Sequence, residues 1–206
     1  NKYETWIKVE ITVTEVLSDR GDIPKEAVKV INEKAAFSVE RILEIEQTTH
    51  HDVIAFLTNI NEYVGDSGRY IHVGMTSSDV LDTGLSLQLK DSCELLLEEI
   101  EKLESEVRSL ARQHKNTLMI GRSHAIHGEP ISFGFKLAGW LAEILRDKKR
   151  LLILKESISI GQISGAMGTY ANTNPEIEKI TIQNRHDKKF NYKLPSQETG
   201  AGKQLK

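Results

Sequence analysis

The sequence predicts an all-α fold, and three observations carry that prediction. Leu85, Leu89, Leu96, Ile100, Leu103, Val107 and Leu110 recur at steps of three, four and seven, a stripe sustained over more than three heptads. Aromatic residues make up only 6% of the 206 residues, whereas Glu, Lys, Leu and Ile are common. No stretch alternates apolar and polar residues over a strand length. The expected organisation is a compact helical N-terminal domain over 1–75 and two very long helices of a helical bundle within 76–178. A basic tail over 179–206, a candidate disordered segment, follows.

Residues 3–18 place Tyr3, Trp6, Ile7, Val9, Val13, Val16 and Leu17 near helical spacing. Asp22-Ile23-Pro24 breaks the pattern, and Pro24 with Glu26 suits the start of a short helix over 24–34. Ser38 precedes another short stretch with Val39, Ile42, Leu43 and Ile45. Residues 48–64 read as a helix whose entrance is the polar run Thr48-Thr49-His50-His51-Asp52. Gly65 and Gly68 mark 65–72 as a loop. The long stripe predicts one helix from about 78 to 114. Gly121, Gly128 and Pro130 make 115–130 loop-like. A second long helix is expected over about 131–158, carrying Phe133, Leu137, Trp140, Leu141, Ile144, Leu145, Leu151 and Leu152. Small residues from Gly161 to Asn172 then form a loop. Two long helices cannot bury all their apolar faces against each other, so further helices are expected, from the same chain or another subunit.

Composition narrows the function classes. Apolar residues are 39%, charged residues 28% and the net charge is −3, a globular balance with no global electrostatic case for nucleic acid or an anionic membrane. No run of 18 apolar residues occurs, and residues 1–20 lack a basic start followed by an apolar core, so neither a membrane helix nor a signal peptide is expected. Cys93 stands alone, which fits a small buried residue in a reducing, cytoplasmic setting. The tail differs from the rest: seven basic residues face only Asp187 and Glu198 over 179–206. Its aromatic interleaving is limited to Phe190 and Tyr192, so no nucleic-acid partner is expected.

Chemistry is concentrated in three histidine-bearing polar segments at helix ends. His50 and His51 precede Asp52, His72 precedes Gly74-Met75-Thr76-Ser77-Ser78-Asp79, and His124 and His127 lie in Gly121-Arg122-Ser123-His124-Ala125-Ile126-His127-Gly128-Glu129-Pro130. Histidine is the natural acid and base near neutral pH. A zinc site on His124, His127 and Glu129 is weak, because His-x-x-His stands without His-Glu-x-x-His or a second cysteine. No Gly-x-Ser-x-Gly element is present, and Gly161–Gly168 lacks the Lys-Ser/Thr ending of a phosphate loop. Thr76, Ser77, Ser78 and Asp79 supply a helix N-cap and, equally, hydroxyls and free N–H groups suited to a carboxylate or phosphate. Arg122 adds a bidentate partner for such an anion. The pattern points to an anionic small molecule and acid–base chemistry by histidine.

Four segments resemble the adenylosuccinate lyase family of the fumarase/aspartase superfamily: Thr49–Phe56, His72–Thr83, Gly121–Pro130 and Ser164–Asn172. The resemblance covers roughly residues 3–178, with a cycloisomerase branch as its nearest competitor. It implies a homotetramer around a bundle of long helices. It implies β-elimination of fumarate from adenylosuccinate, giving AMP, and from the succinyl-carboxamide nucleotide (SAICAR to AICAR). His124 matches the family's general acid, and His51 a second active-site histidine that assists it. His72, Thr76 and Ser77 match substrate-anion contacts, with Ser78, Arg122 and Ser123 beside them in the same motifs. No metal and no organic cofactor is implied. The resemblance further implies a chain incomplete as given. The family's Gly-Ser-Ser-x-Met-Pro-x-Lys-x-Asn loop, whose serine is assigned as the base, has no counterpart here, nor has an N-terminal Arg-Tyr segment. A truncated, non-catalytic relative acting as a helical interaction module is the alternative reading.

Overall fold

The computed structural model describes residues 1–183. Its helices are α1 (Lys2–Asp19), α2 (Lys25–Lys34), α3 (Val39–Thr49), α4 (Asp52–Val64), α5 (Ser77–Gln113), α6 (Phe133–Ile158) and α7 (Pro175–Gln183); strands β1 (Leu118–Ser123) and β2 (Ile126–Ser132) lie between α5 and α6. The chain divides into two units. One comprises Asn1–Gln88 with the described residues from Ser159 on, the other Leu89–Ile158.

In the first unit the spacing of apolar residues on α1 buries Tyr3, Trp6, Val9, Val13, Val16 and Leu17 on one face. One end of that face packs an aromatic cluster. The rings of Tyr3 and Trp6 meet edge-on at 5.1 Å, and Trp6 meets the fully buried Phe56 of α4 edge-on at 5.4 Å. The other end joins Val28 of α2, Leu87 of α5, Ile163, and Ile177 and Ile182 of α7. The expected helix over 48–64 starts only at Asp52, because His50 adopts φ 50° and ends α3 while His51, extended at φ −151°, caps α4. The expected loop over 65–72 contains a short 3-10 helix, Gly65–Tyr70. α7 follows from Asn174 and Pro175, since Asn174 accepts from the Glu176 N–H at 2.8 Å and Pro175 needs no donor of its own. Residues 179–183 of the basic segment are therefore helical, and 184–206 lie outside the described residues.

The second unit pairs the distal part of α5 with α6 in antiparallel fashion. Lys148 reaches Glu101 and Glu104, both at 3.2 Å, and Lys155 reaches Glu94 at 2.8 Å. The helix junction is tight at Gly134. A Cβ there would lie 2.5 Å from the Ala111 carbonyl oxygen and 2.6 Å from the Lys115 Cα, so only glycine fits. Leu89, Leu96, Leu103 and Leu110, one heptad apart, remain 41, 54, 50 and 38% exposed.

The expected loop over 115–130 is corrected by the structure. β1 and β2 form an antiparallel hairpin, pairing Leu118 with Ser132 and Ser123 with Ile126. Its two-residue turn is His124-Ala125, both left-handed at φ 52° and 62°, which matches the strand twist. The register slips between Ile120 and Arg122, so that Gly121 faces both Gly128 and Glu129. A Cβ on Gly121 would approach the Glu129 carbonyl oxygen to 2.7 Å. The reason for the missed hairpin is exposure: Arg122–Pro130 are all exposed, so no face is buried and no apolar alternation was needed.

Candidate active site

The turn that opens α5 is capped by a carboxylate. Asp79, 1% exposed, accepts from the Thr76 N–H at 3.0 Å through Oδ2, the reciprocal half of a capping box. The same carboxylate accepts from the Ser164 and Gly165 N–H groups, each at 3.1 Å. Because Asp79 does the capping, the hydroxyls of Thr76, Ser77 and Ser78 make no hydrogen bond among the described residues. The N–H groups of Ser77 and Ser78, in the first turn, also lack intrahelical acceptors. The cap thus uses Asp79 and leaves the hydroxyls without partners among the described residues.

His72 precedes this turn in a left-handed conformation, φ 66°. Its Nδ1 lies 2.6 Å from Oε1 of Glu10, which projects from α1 and is 1% exposed. The other carboxylate oxygen of Glu10, Oε2, is buried without a partner. Burial of the ring disfavours its charge. The hydrogen bond to Glu10 and the charges of Glu10 and Asp79 outweigh that penalty, and the net displacement is upward from the ordinary value of 6.5. His72 is thereby biased towards imidazolium, with Nε2 making no hydrogen bond among the described residues.

The loop after Ser159 is tied to the same place by a second buried carboxylate. Glu178, 3% exposed, accepts from the Ile163 N–H at 2.8 Å and from the Tyr170 hydroxyl at 2.9 Å. Burial, that hydrogen bond and the charges of Glu178 and Asp79 push the Tyr170 hydroxyl up to about 12, so it remains a donor. Thr83, fully buried, brackets Gln162 by donating to its carbonyl and accepting from its N–H. Gly74, at φ 74°, allows the His72 segment to meet the loop: a Cβ there would lie 2.4 Å from the Asn172 carbonyl oxygen.

His51 also belongs to the first unit. Its Nδ1 accepts from the Ile54 N–H at 3.4 Å and lies 3.5 Å from Asp52, which leaves Nε2 available. Arg122, Ser123 and His124 belong to the second unit. Arg122 and Ser123 end β1, His124 is the first turn residue, and all three are exposed. The structure thus gathers His72, Thr76, Ser77 and Ser78 around Asp79 and holds Arg122, Ser123 and His124 together on the hairpin. Among the described residues no group of three His, Cys, Asp or Glu side chains converges as a metal-holding set, and no helix is long and apolar enough to cross a membrane. Sequence reasoning did not single out Glu10 or the roles of Tyr170 and Glu178. The available signal was a lone carboxylate between Val9 and Val13 on the buried face of α1.

The sequence model of the lyase family matches residues 3–191. Adenylosuccinate lyase of Synechocystis sp. (strain ATCC 27184 / PCC 6803 / Kazusa) is 59% identical over 182 residues, 88% of this chain and 42% of that protein. Adenylosuccinate lyase of Aquifex aeolicus is 46% identical over 186 residues, 89% of this chain and 43% of that protein. The crystal structure of a fumarate lyase from Mesorhizobium sp. BNC1 has a TM-score of 0.84 at 26% identity, covering 95% of this chain and 46% of that one. The chain spans less than half the length of the curated relatives it matches.

Proposed function

The chain belongs to the lyase family, and on that premise we propose that it supplies the histidine-bearing portion of an adenylosuccinate-cleaving site. The reaction is β-elimination. A base takes the proton beside a succinyl carboxylate, the C–N bond breaks, the carbon–carbon double bond of fumarate forms, and the departing nitrogen is protonated. From adenylosuccinate this gives AMP and fumarate; from SAICAR it gives AICAR and fumarate. His124 is the acid that protonates the nitrogen, and His51 assists it. His72, Thr76, Ser77 and Ser78 hold substrate anions, with Arg122 and Ser123 beside His124. The family's serine loop has no counterpart among these 206 residues, so the base is assigned to none of them. No metal or organic cofactor takes part.

The observation that carries this reading is the turn at Thr76. Its cap is an internal carboxylate, so three hydroxyls and two N–H groups stay available near His72, whose proton affinity is raised above the ordinary value. Anion stabilisation of this kind lowers the cost of charge developing on a carboxylate. The 59% identity to an adenylosuccinate lyase supports the choice of substrate over those of more distant lyases. The exposed heptad leucines of α5 fit a face that other helices cover, as in the proposed homotetramer, and a cytoplasmic setting is proposed with it.

A graft tests the proposal. Residues 3–178 replace the matching segment of the Synechocystis enzyme, and fumarate release from adenylosuccinate is measured. Turnover is expected, and His124→Gln in the graft lowers kcat by about 10²–10⁴-fold, the usual worth of a general acid. A graft that folds and binds adenylosuccinate yet turns over equally with and without His124 contradicts the role assignment.

A further inference from the structure

We propose that Glu10 is a positioning residue that holds the His72 ring through Nδ1 and so presents Nε2–H as a donor to an anionic group of the substrate. The proposal rests on the reading of His72 as an anion contact. Three observations point to it. Glu10 is 1% exposed, and its bond to Nδ1 is short at 2.6 Å. A carboxylate so buried, with Oε2 left unpartnered, is costly unless an opposite charge compensates it, and His72 is its hydrogen-bonded neighbour. His72 itself sits at φ 66°, a conformation sparsely used by residues with a Cβ, and such strain persists where surrounding structure enforces it.

The arrangement has a defined chemical consequence. A histidine hydrogen-bonded to a carboxylate through Nδ1 is fixed in tautomer and orientation, as ligand and acid–base histidines commonly are. With Nδ1–H committed to Glu10, Nε2 is the free ring atom, a donor once the ring is imidazolium, and the imidazole side chain remains 22% exposed. The charged groups that act on this ring are Glu10 on α1 and Asp79 on α5; both favour imidazolium. In its imidazolium form His72 is then a donor of fixed orientation.

Long-range 1H–15N NMR of the full chain with labelled histidine tests this, with the His72 signal assigned by its loss in His72→Gln. In the wild-type chain His72 is expected to keep both ring nitrogens protonated at pH 7. In Glu10→Gln, which keeps the shape but not the charge, its titration midpoint is expected to fall by about one pH unit or more, a tenfold change in the proton equilibrium. Fumarate, and separately AMP, are then titrated in as probes. Each is expected to shift Nε2 of the wild-type chain, with at least tenfold weaker binding to Glu10→Gln. Equal midpoints in the two chains, with probe responses intact, overturn the role of Glu10 and leave the anion-contact reading standing. A midpoint that falls in Glu10→Gln while neither probe reaches Nε2 in the wild-type chain overturns the anion-contact reading, and the proposal with it. If Glu10→Gln fails to fold by circular dichroism, the wild-type titration decides: a His72 that is neutral at pH 7, or whose Nδ1 carries no proton, overturns the proposal.

Discussion

His72 and His124, both given roles in the proposed reaction, are held by opposite strategies. His72 is gripped by a buried carboxylate from α1, beside a turn capped by a second and facing a loop tied down by a third. His124 stands on an exposed two-residue turn at the end of a hairpin with no buried face. The contrast teaches where preorganisation is stored in this chain. The proposed anion contacts are set by buried charges within one unit. His124, the proposed acid, is displayed on an exposed hairpin, as Leu96 and Leu103 are exposed on α5.

The largest expected effect lies on the gripped side. Asp79→Ala strands three N–H groups, at Thr76, Ser164 and Gly165. An unsatisfied buried group costs about 1–3 kcal/mol; Ser164 is buried and Thr76 and Gly165 are half-buried, so chemical denaturation should register a loss of about 2 kcal/mol or more. His124→Ala, by contrast, should change stability by no more than about 0.5 kcal/mol, as surface substitutions do. Comparable losses for the two would erase the distinction.

The second prediction locates the stability of the other unit at the root of the hairpin rather than its tip. Gly134→Ala drives a methyl against the backbone at Ala111 and Lys115. Overpacking of this kind costs about 1–3 kcal/mol, read as a lower denaturation midpoint. A neutral result would mean that the junction of α5 and α6 is loose.

The third prediction concerns pH. The folded-state value of His72 lies above 6.5, so its pairing stabilises the fold fully below that pH, and the contribution is lost as pH rises from 6.5 through the raised value. Denaturation midpoints of the wild-type chain should therefore fall relative to those of His72→Gln across this window. Parallel profiles would contradict the pairing. The smallest effect is expected at the turn. Ala125 holds φ 62°, so Ala125→Gly should relieve strain and stabilise the hairpin by about 0.5–1 kcal/mol, and a loss of stability would mean that the turn is not the one described.

The helices were legible in the sequence because each buries one stripe, and a stripe leaves a 3.6-residue period. α1 and α5 are the clearest cases, through Tyr3–Leu17 and Leu85–Leu110. The hairpin was not legible, since residues exposed on both faces carry no alternation. The polar loops were legible as chemistry because His72, Thr76 and Ser77 lie together in sequence. Glu10 was not, being 62 positions from its partner His72. A long-range pair of that kind leaves no local pattern, only a charge in an otherwise apolar stripe. Asp79 read as part of a cap, while its bonds to Ser164 and Gly165 bridge 85 and 86 positions and needed the fold to appear.

Residue-resolved amide hydrogen exchange tests the contrast most directly. The account predicts slow exchange at the N–H groups of Thr76, Ser164 and Gly165, all bonded to Asp79, and fast exchange at His124 and Ala125 in the turn. Protection of the first set should exceed that of the second by about 100-fold or more, as buried bonded amides exceed exposed ones. Equal, fast exchange at both would mean that the carboxylate-held turn is not preformed, and the central claim would fail.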